Sequence, residues 1–287
     1  MNEITRLALY LVLVTTLRAT TIVTLVTIHG IVVCADSSAA IDQTKNFTPI
    51  KLSAAQKEKL FVLHDRFVIA HDGDAALYFA KFDGKKVVPL ATPYFAFDII
   101  NGLQRDTSVA STPFMVANLL REKLTAQFRG FDIIPQSGVM KRELGHQLED
   151  DPITNFTIAA YDGAVAHVYQ VGVGVNWVAL THRISPVATL YPDDRKHLSL
   201  SVAGYSDAIQ DIWKQRSSPN TQRFASSYPD EYRALLSDLD LSMDRMVVLA
   251  RALLAVQIER TPTFVSYPLT VVTVPASGPI ARQSYGK

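Results

Sequence analysis

Residues 20–36 read TTIVTLVTIHGIVVCAD: two runs rich in β-branched apolar residues, joined at Ile28, His29 and Gly30 and closed by one acid, Asp36. Branched side chains suit the pleated strand. Two such runs about a short Gly-containing turn predict a hairpin. The stretch admits three readings: a buried hairpin, part of an export signal, or the opening of an active site.

The segment before it bears on that choice. Leu7 to Leu17 is apolar and about as long as the core of a signal peptide, and too short to span a bilayer, which takes about 20 residues. Arg18 and His29 interrupt the apolar character that continues to Ala35, and a charge at mid-bilayer is costly. No stable membrane span is therefore expected. Cleavage after Ala19 leaves Thr20 first; cleavage after Ala35 removes the whole stretch. The first is preferred, with residues 1–19 a signal peptide or propeptide, 20–275 one domain and 276–287 a polar tail. A signal peptide implies export; otherwise the chain is cytoplasmic.

Further hairpins follow. Lys59 to Leu63 and Arg66 to His71 flank His64 and Asp65. An Asp-Gly turn at Asp83 and Gly84 marks a second hairpin, and Phe156 to Val173 a third, about Asp162 and Gly163. Ser111, Thr112 and Pro113 start a helix that runs to Phe128, with Arg129 and Gly130 closing it. Ser199 to Gly204 reads as a strand, Asp207 to Gln215 as a helix and Ser217 to Ser227 as a polar loop. Ser242 caps a helix to Arg260 whose apolar residues run nearly all round, which predicts packing between layers. Leu269 to Val274 is a last strand. Hairpins grouped with helices indicate layered α+β, without a linker separating two domains.

Composition excludes more than it assigns. At 287 residues the chain can bury a large core. A net charge of +1 offers nothing to nucleic acid. Cys34 is the single cysteine, so no internal disulfide or thiolate metal site exists, and burial in an apolar strand suits it. The seven histidines lack ligand spacing; no metal or cofactor is expected.

A threonine hydroxyl needs a neighbouring base to act as a nucleophile. Its own α-amine, with a pKa of about 7.7–8.0, serves when the residue is first in the mature chain. Here the sequence resembles the proteasome β-subunits. Thr20 to Asp36 matches their opening threonines, strand, Gly-centred turn, strand and acid without a gap. Lys59 before Leu60 and Phe61, the strand that follows, and Gly73 with Asp74 continue the likeness. So do the hairpin at Tyr161, Asp162 and Gly163, the helix from Ser242 and the strand LTVVTV. The resemblance implies a four-layer αββα sandwich of the N-terminal nucleophile hydrolases, a peptide or small amide substrate, and a homo-oligomer or ring. It implies Thr20 as nucleophile and base, Lys59 as cation, and Asp36 as the acid holding that lysine. Ser206 would support the terminal amine and Glu259 would be the late acid. Thr21, Ser38 and His71 fall to the substrate side, with the backbone near His71 as oxyanion donor.

The chain departs from that pattern at Ala19, where the family has Gly, at His71, at VAGYSDA, and after the long helix, where alignment puts Arg260 or Pro262 rather than Glu259. The weak match after the long helix and His71 favour the alternative of a non-catalytic subunit or interaction protein. A third reading is a secreted binding domain beginning at Asp36.

Overall fold

The computed structural model describes residues 20–37, 57–73, 76–77, 80–82, 87–89, 94–128, 151–176, 181–191, 198–204, 206–237, 240–262 and 265–286. Expectations for residues 1–19, Ser38, Asp74, the turn at Asp83 and Gly84, and the helix stop at Arg129 and Gly130 lie outside these.

The opening stretch forms a hairpin. Strands β1 (Thr21–Thr27) and β2 (Gly30–Asp36) pair antiparallel, with Ile22 opposite Ala35. Every residue of both strands is buried. The reason is position: they occupy the middle of a five-stranded sheet, with β13 (Ser199–Gly204) beside β1 and β14 (Leu269–Pro275) beside β2.

The second sheet runs β11-β10-β9-β4-β3, with β12 also on β10. Its strands are β3 (Leu60–Leu63), β4 (Phe67–Gly73), β9 (Asp151–Asp162), β10 (Val165–Asn176), β11 (Thr181–Ile184) and β12 (Ala188–Tyr191). The β3–β4 turn places His64 and Asp65 at φ of 53° and 51°, the left-handed region that His and Asp enter more readily than most side chains. Two small ribbons, β5 (Ala76–Leu77) with β8 (Tyr94–Phe95) and β6 (Ala80–Phe82) with β7 (Val87–Pro89), stand apart from the large sheets.

Three apolar layers bind the molecule. Ile22, Val26, Ile31 and Val33 meet Val68, Ala70 and Ala159 between the two sheets. Helices α1 (Ala96–Asp106) and α2 (Pro113–Phe128) cover the far face of the second sheet through Leu103, Val116, Leu120 and Leu124 against Phe67, Phe156 and Ile158. Helices α3 (Asp207–Lys214), α4 (Pro219–Ser227), α5 (Pro229–Leu236) and α6 (Met243–Arg260) cover the far face of the first, through Ile209, Phe224, Leu249 and Leu253 against Val23, Leu25 and Cys34. The result is a four-layer αββα sandwich. Its layering explains the sequence of α6: one side meets the sheet, the flank meets α3 and its neighbours, and Val248 remains exposed.

Four segments differ from the sequence reading. Residues 219–227, read as loop, form α4: Ser218 Oγ accepts from the Thr221 amide at 3.1 Å, Pro219 occupies the first turn, and Phe224 inserts into the core. A polar helix with a single large apolar anchor gives little periodic signal. The tail contains β15 (Ala281–Tyr285), paired with β14 at the sheet's edge. Its side chains are mostly exposed, so apolar content could not reveal it. Helices α1 and α5 were also not anticipated.

Candidate active site

Asp36 ends β2 with its carboxylate buried and three donors converging on it. Oδ1 accepts the Thr21 amide at 2.8 Å and the Lys59 ammonium at 3.0 Å. The Ser266 amide donates to Oδ2 at 3.4 Å. A carboxylate that collects charged and backbone donors stays ionised and fixes what it holds. The Lys59 side chain is 8% exposed and that of Asp36 fully buried. Burial depresses the Lys59 pKa below its ordinary 10.5; Asp36, through charge and hydrogen bond, and then Asp72 oppose it.

The backbone secures Lys59 as well. Its carbonyl accepts the His71 amide at 2.8 Å, one step beyond the pairing of Leu60 with Ala70. Next to it, Glu58 forms an ion pair with Arg282 of β15. The unexpected last strand therefore braces the segment that carries the lysine.

Thr20 stands immediately before β1 and is 4% exposed. Its neighbour Thr21 pairs with Gly204 of β13. Gly204 has φ +76°, and a Cβ there would lie 1.8 Å from the Thr20 carbonyl oxygen and 3.5 Å from the Asp72 Cβ. Only a glycine permits that approach. Two residues on, Ser206 is buried at the start of α3; its hydroxyl donates to the Gly204 carbonyl at 3.2 Å and accepts Gln210 Nε2 at 2.9 Å. Thr20, Thr21, Asp36, Lys59 and Ser206 thus belong to one neighbourhood at the ends of β1, β2 and β13.

His71 is turned elsewhere. Strand alternation sends Phe67 and Ile69 toward the helices α1 and α2, and Val68 and Ala70 toward the first sheet. His71 follows Phe67 and Ile69: Nε2 lies 2.6 Å from Thr154 Oγ1 and the ring rests 4.8 Å from that of Phe156. Its amide is engaged with Lys59, as described. Asp72, the next residue, faces the first sheet. Glu259 also lies apart, half-exposed and ion-paired to Arg223 of α4 at 2.9 Å. Ser38 is outside the described residues.

Several participants were not anticipated. Ser266 reaches Asp36 through its amide, which any residue except proline could supply, so no side-chain signal exists. Gln257, buried in α6, accepts the Ala208 amide at 3.0 Å and ties α3 to α6. A glutamine inside an apolar helix was the available clue. Cys34 is buried, and burial pushes its thiol up, out of nucleophilic range. Among the described residues, no group of three or more His, Cys, Asp or Glu is arranged to hold a metal ion, and no helix is long and apolar enough to cross a membrane.

No family model and no curated protein sequence matches the chain. Solved structures do match. A Gly-1 mutant of Anbu from Hyphomicrobium sp. strain MC1 superposes with a TM-score of 0.50 at 12% identity, over 93% of this chain and 87% of that one. The fold is proteasome-like. At such identity the likeness speaks for architecture, and the chemistry must be argued from the side chains.

Proposed function

We propose that the chain is an N-terminal threonine hydrolase of peptide or other amide bonds, active once cleavage after Ala19 frees the amine of Thr20. The observation that carries this reading is the buried Lys59–Asp36 pair, whose carboxylate also grips the Thr21 amide. One fixed cation and one fixed acid are thereby tied to the residue beside the nucleophile. Such an arrangement eases loss of the hydroxyl proton and steadies developing negative charge.

In the reaction, Thr20 Oγ attacks the substrate carbonyl carbon while its proton passes to the Thr20 α-amine. The tetrahedral intermediate collapses as the C–N bond breaks, and the leaving amine takes that proton. Water then attacks the ester carbon, giving a proton to the same α-amine; the C–Oγ bond breaks, Oγ takes that proton back, and the acyl group leaves as the carboxylic acid. Ser206, fixed against Gly204, supports the terminal amine in this scheme.

Intact mass and N-terminal sequencing of the purified protein, with turnover of a panel of short fluorogenic peptide amides, test the proposal. The expected mature chain begins at Thr20, and Thr20→Ala lowers turnover about a thousandfold or more. A chain that retains residues ahead of Thr20 would rule out catalysis by this route. The second reading is a non-catalytic subunit of the same fold, favoured by the pairing of Glu259 with Arg223 away from the Asp36 cluster. It predicts equal inactivity of wild type and Thr20→Ala.

A further inference from the structure

Asp72 is buried, 3% exposed, at the end of β4, and the scheme above gives it no role. Its alternation partners Val68 and Ala70 pack between the sheets, so its side chain points at the first sheet. It meets that sheet at Gly204: a Cβ there would clash with the Thr20 carbonyl oxygen at 1.8 Å and touch the Asp72 Cβ at an ordinary contact distance of 3.5 Å. Thr20 precedes Ile22 by two residues, and Ile22 packs in the same inter-sheet layer.

The carboxylate is held from behind. Asn155, directly opposite on β9, donates from Nδ2 to Asp72 Oδ2 at 3.2 Å. Asn155 in turn lies over Gly172 of β10, where a Cβ would stand 2.5 Å from Asn155 Oδ1. The Thr154 hydroxyl donates to the Asp72 carbonyl at 2.9 Å. Three strands thus fix the direction of one acid.

We infer that Asp72 is a second positioning carboxylate of this site, set by Asn155 over Gly172 to receive the ammonium that forms when Thr20 becomes N-terminal. The inference rests on the threonine-hydrolase reading and deepens it. The physical need is charge balance. Asp36 is already committed to Lys59, Thr21 and Ser266. Cleavage brings a second cation into a buried space, where an uncompensated charge is costly. Asp36 from β2, Lys59 ahead of β3 and Asp72 from β4 stand near the start of β1, and Asp72 also acts on Lys59, opposing the loss of its charge, so two acids face one cation there before the ammonium forms. Glu58 is engaged with Arg282, and Asp207 is exposed at the start of α3. His71 faces the opposite side of β4.

The test uses the full chain, expressed and allowed to mature, with Asp72→Asn and Asp72→Ser compared with wild type. Removing a nearby negative charge lowers the pKa of an amine. The acid limb of the kcat/KM profile is expected to move to lower pH by about 1 unit in either variant that folds, with kcat reduced. Competitive acetylation of the Thr20 amine across pH, read by mass spectrometry, should show the same shift without reference to turnover. A merely structural role would lower stability and leave both titrations in place; that result overturns the inference while the hydrolase reading stands. If the wild-type chain never exposes Thr20, or Thr20→Ala keeps full activity, the hydrolase reading falls and the role of Asp72 falls with it.

Discussion

At the scale of single residues, the decisive contact is Lys59 with Asp36. Two opposite charges taken from water recover their lost hydration only when geometry and extra hydrogen bonds are good. Here the acid has backbone donors from Thr21 and Ser266 besides the ammonium. Deleting Asp36 leaves Lys59 buried with its strongest opposing charge gone and the weaker influence of Asp72 left against its desolvation. Asp36→Ala is therefore expected to cost about 3–5 kcal/mol of folding stability, measured as the shift in urea midpoint at unchanged slope. A loss below about 1 kcal/mol would mean that water already reaches Lys59. His71 teaches the complementary lesson. Its place in the sequence suggests the substrate side, but the pleat turns its ring toward Thr154 and Phe156.

At the scale of elements, the site depends on how closely β13 can approach β1. Gly204 and Gly163 both have left-handed backbones, at φ +76° and +60°. A Cβ on Gly163 would meet nothing within 4 Å, whereas one on Gly204 would strike the Thr20 carbonyl. Gly163→Ala should cost only the left-handed conformation, about 1–2 kcal/mol. Gly204→Ala should cost more than this, because the start of β1 must move, and turnover should fall with it. Thermal melts of both variants, with the peptide-amide assay, check the contrast. Equal losses would show that the β1–β13 end tolerates displacement. Helix α6 and β15 also act as elements: Arg251 of α6 lies over the Tyr285 ring at 3.9 Å, and Arg282 of the same strand braces Glu58.

At the scale of the whole molecule, Lys59 links folding to pH. Its pKa is depressed in the folded state because burial penalises the ammonium. Between that depressed value and 10.5 the unfolded chain holds more protons on this lysine than the folded one. Stability attributable to Lys59 therefore rises as pH rises through that window, and is flat below it. Urea unfolding of wild type and Lys59→Met across the alkaline range is expected to show the difference moving in favour of wild type as pH climbs. A difference that stays constant would place the folded pKa at its ordinary value.

The residues Thr20 to Asp36 carried a hairpin signal in their own pattern, two branched apolar runs about a short Gly-containing turn, and that hairpin forms as β1 and β2; its burial at the centre of a sheet came from the strands that flank it. The i, i+4 apolar spacing from Val116 to Phe128 and the cap at Ser242 marked α2 and α6 in the same local way. Local pattern could not show α4, whose polar surface hides a single anchor at Phe224, or β15, whose exposed strand is stabilised by backbone pairing that any side chain permits. Nor could it show which acids meet. Asp36, Lys59, Asp72 and Ser266 are far apart in the chain, and their convergence follows from stacking two sheets with a particular register and pleat. That stacking turned Asp72 toward the first sheet and His71 toward Thr154 and Phe156, a distinction of one residue that only packing on both faces of β4 could decide.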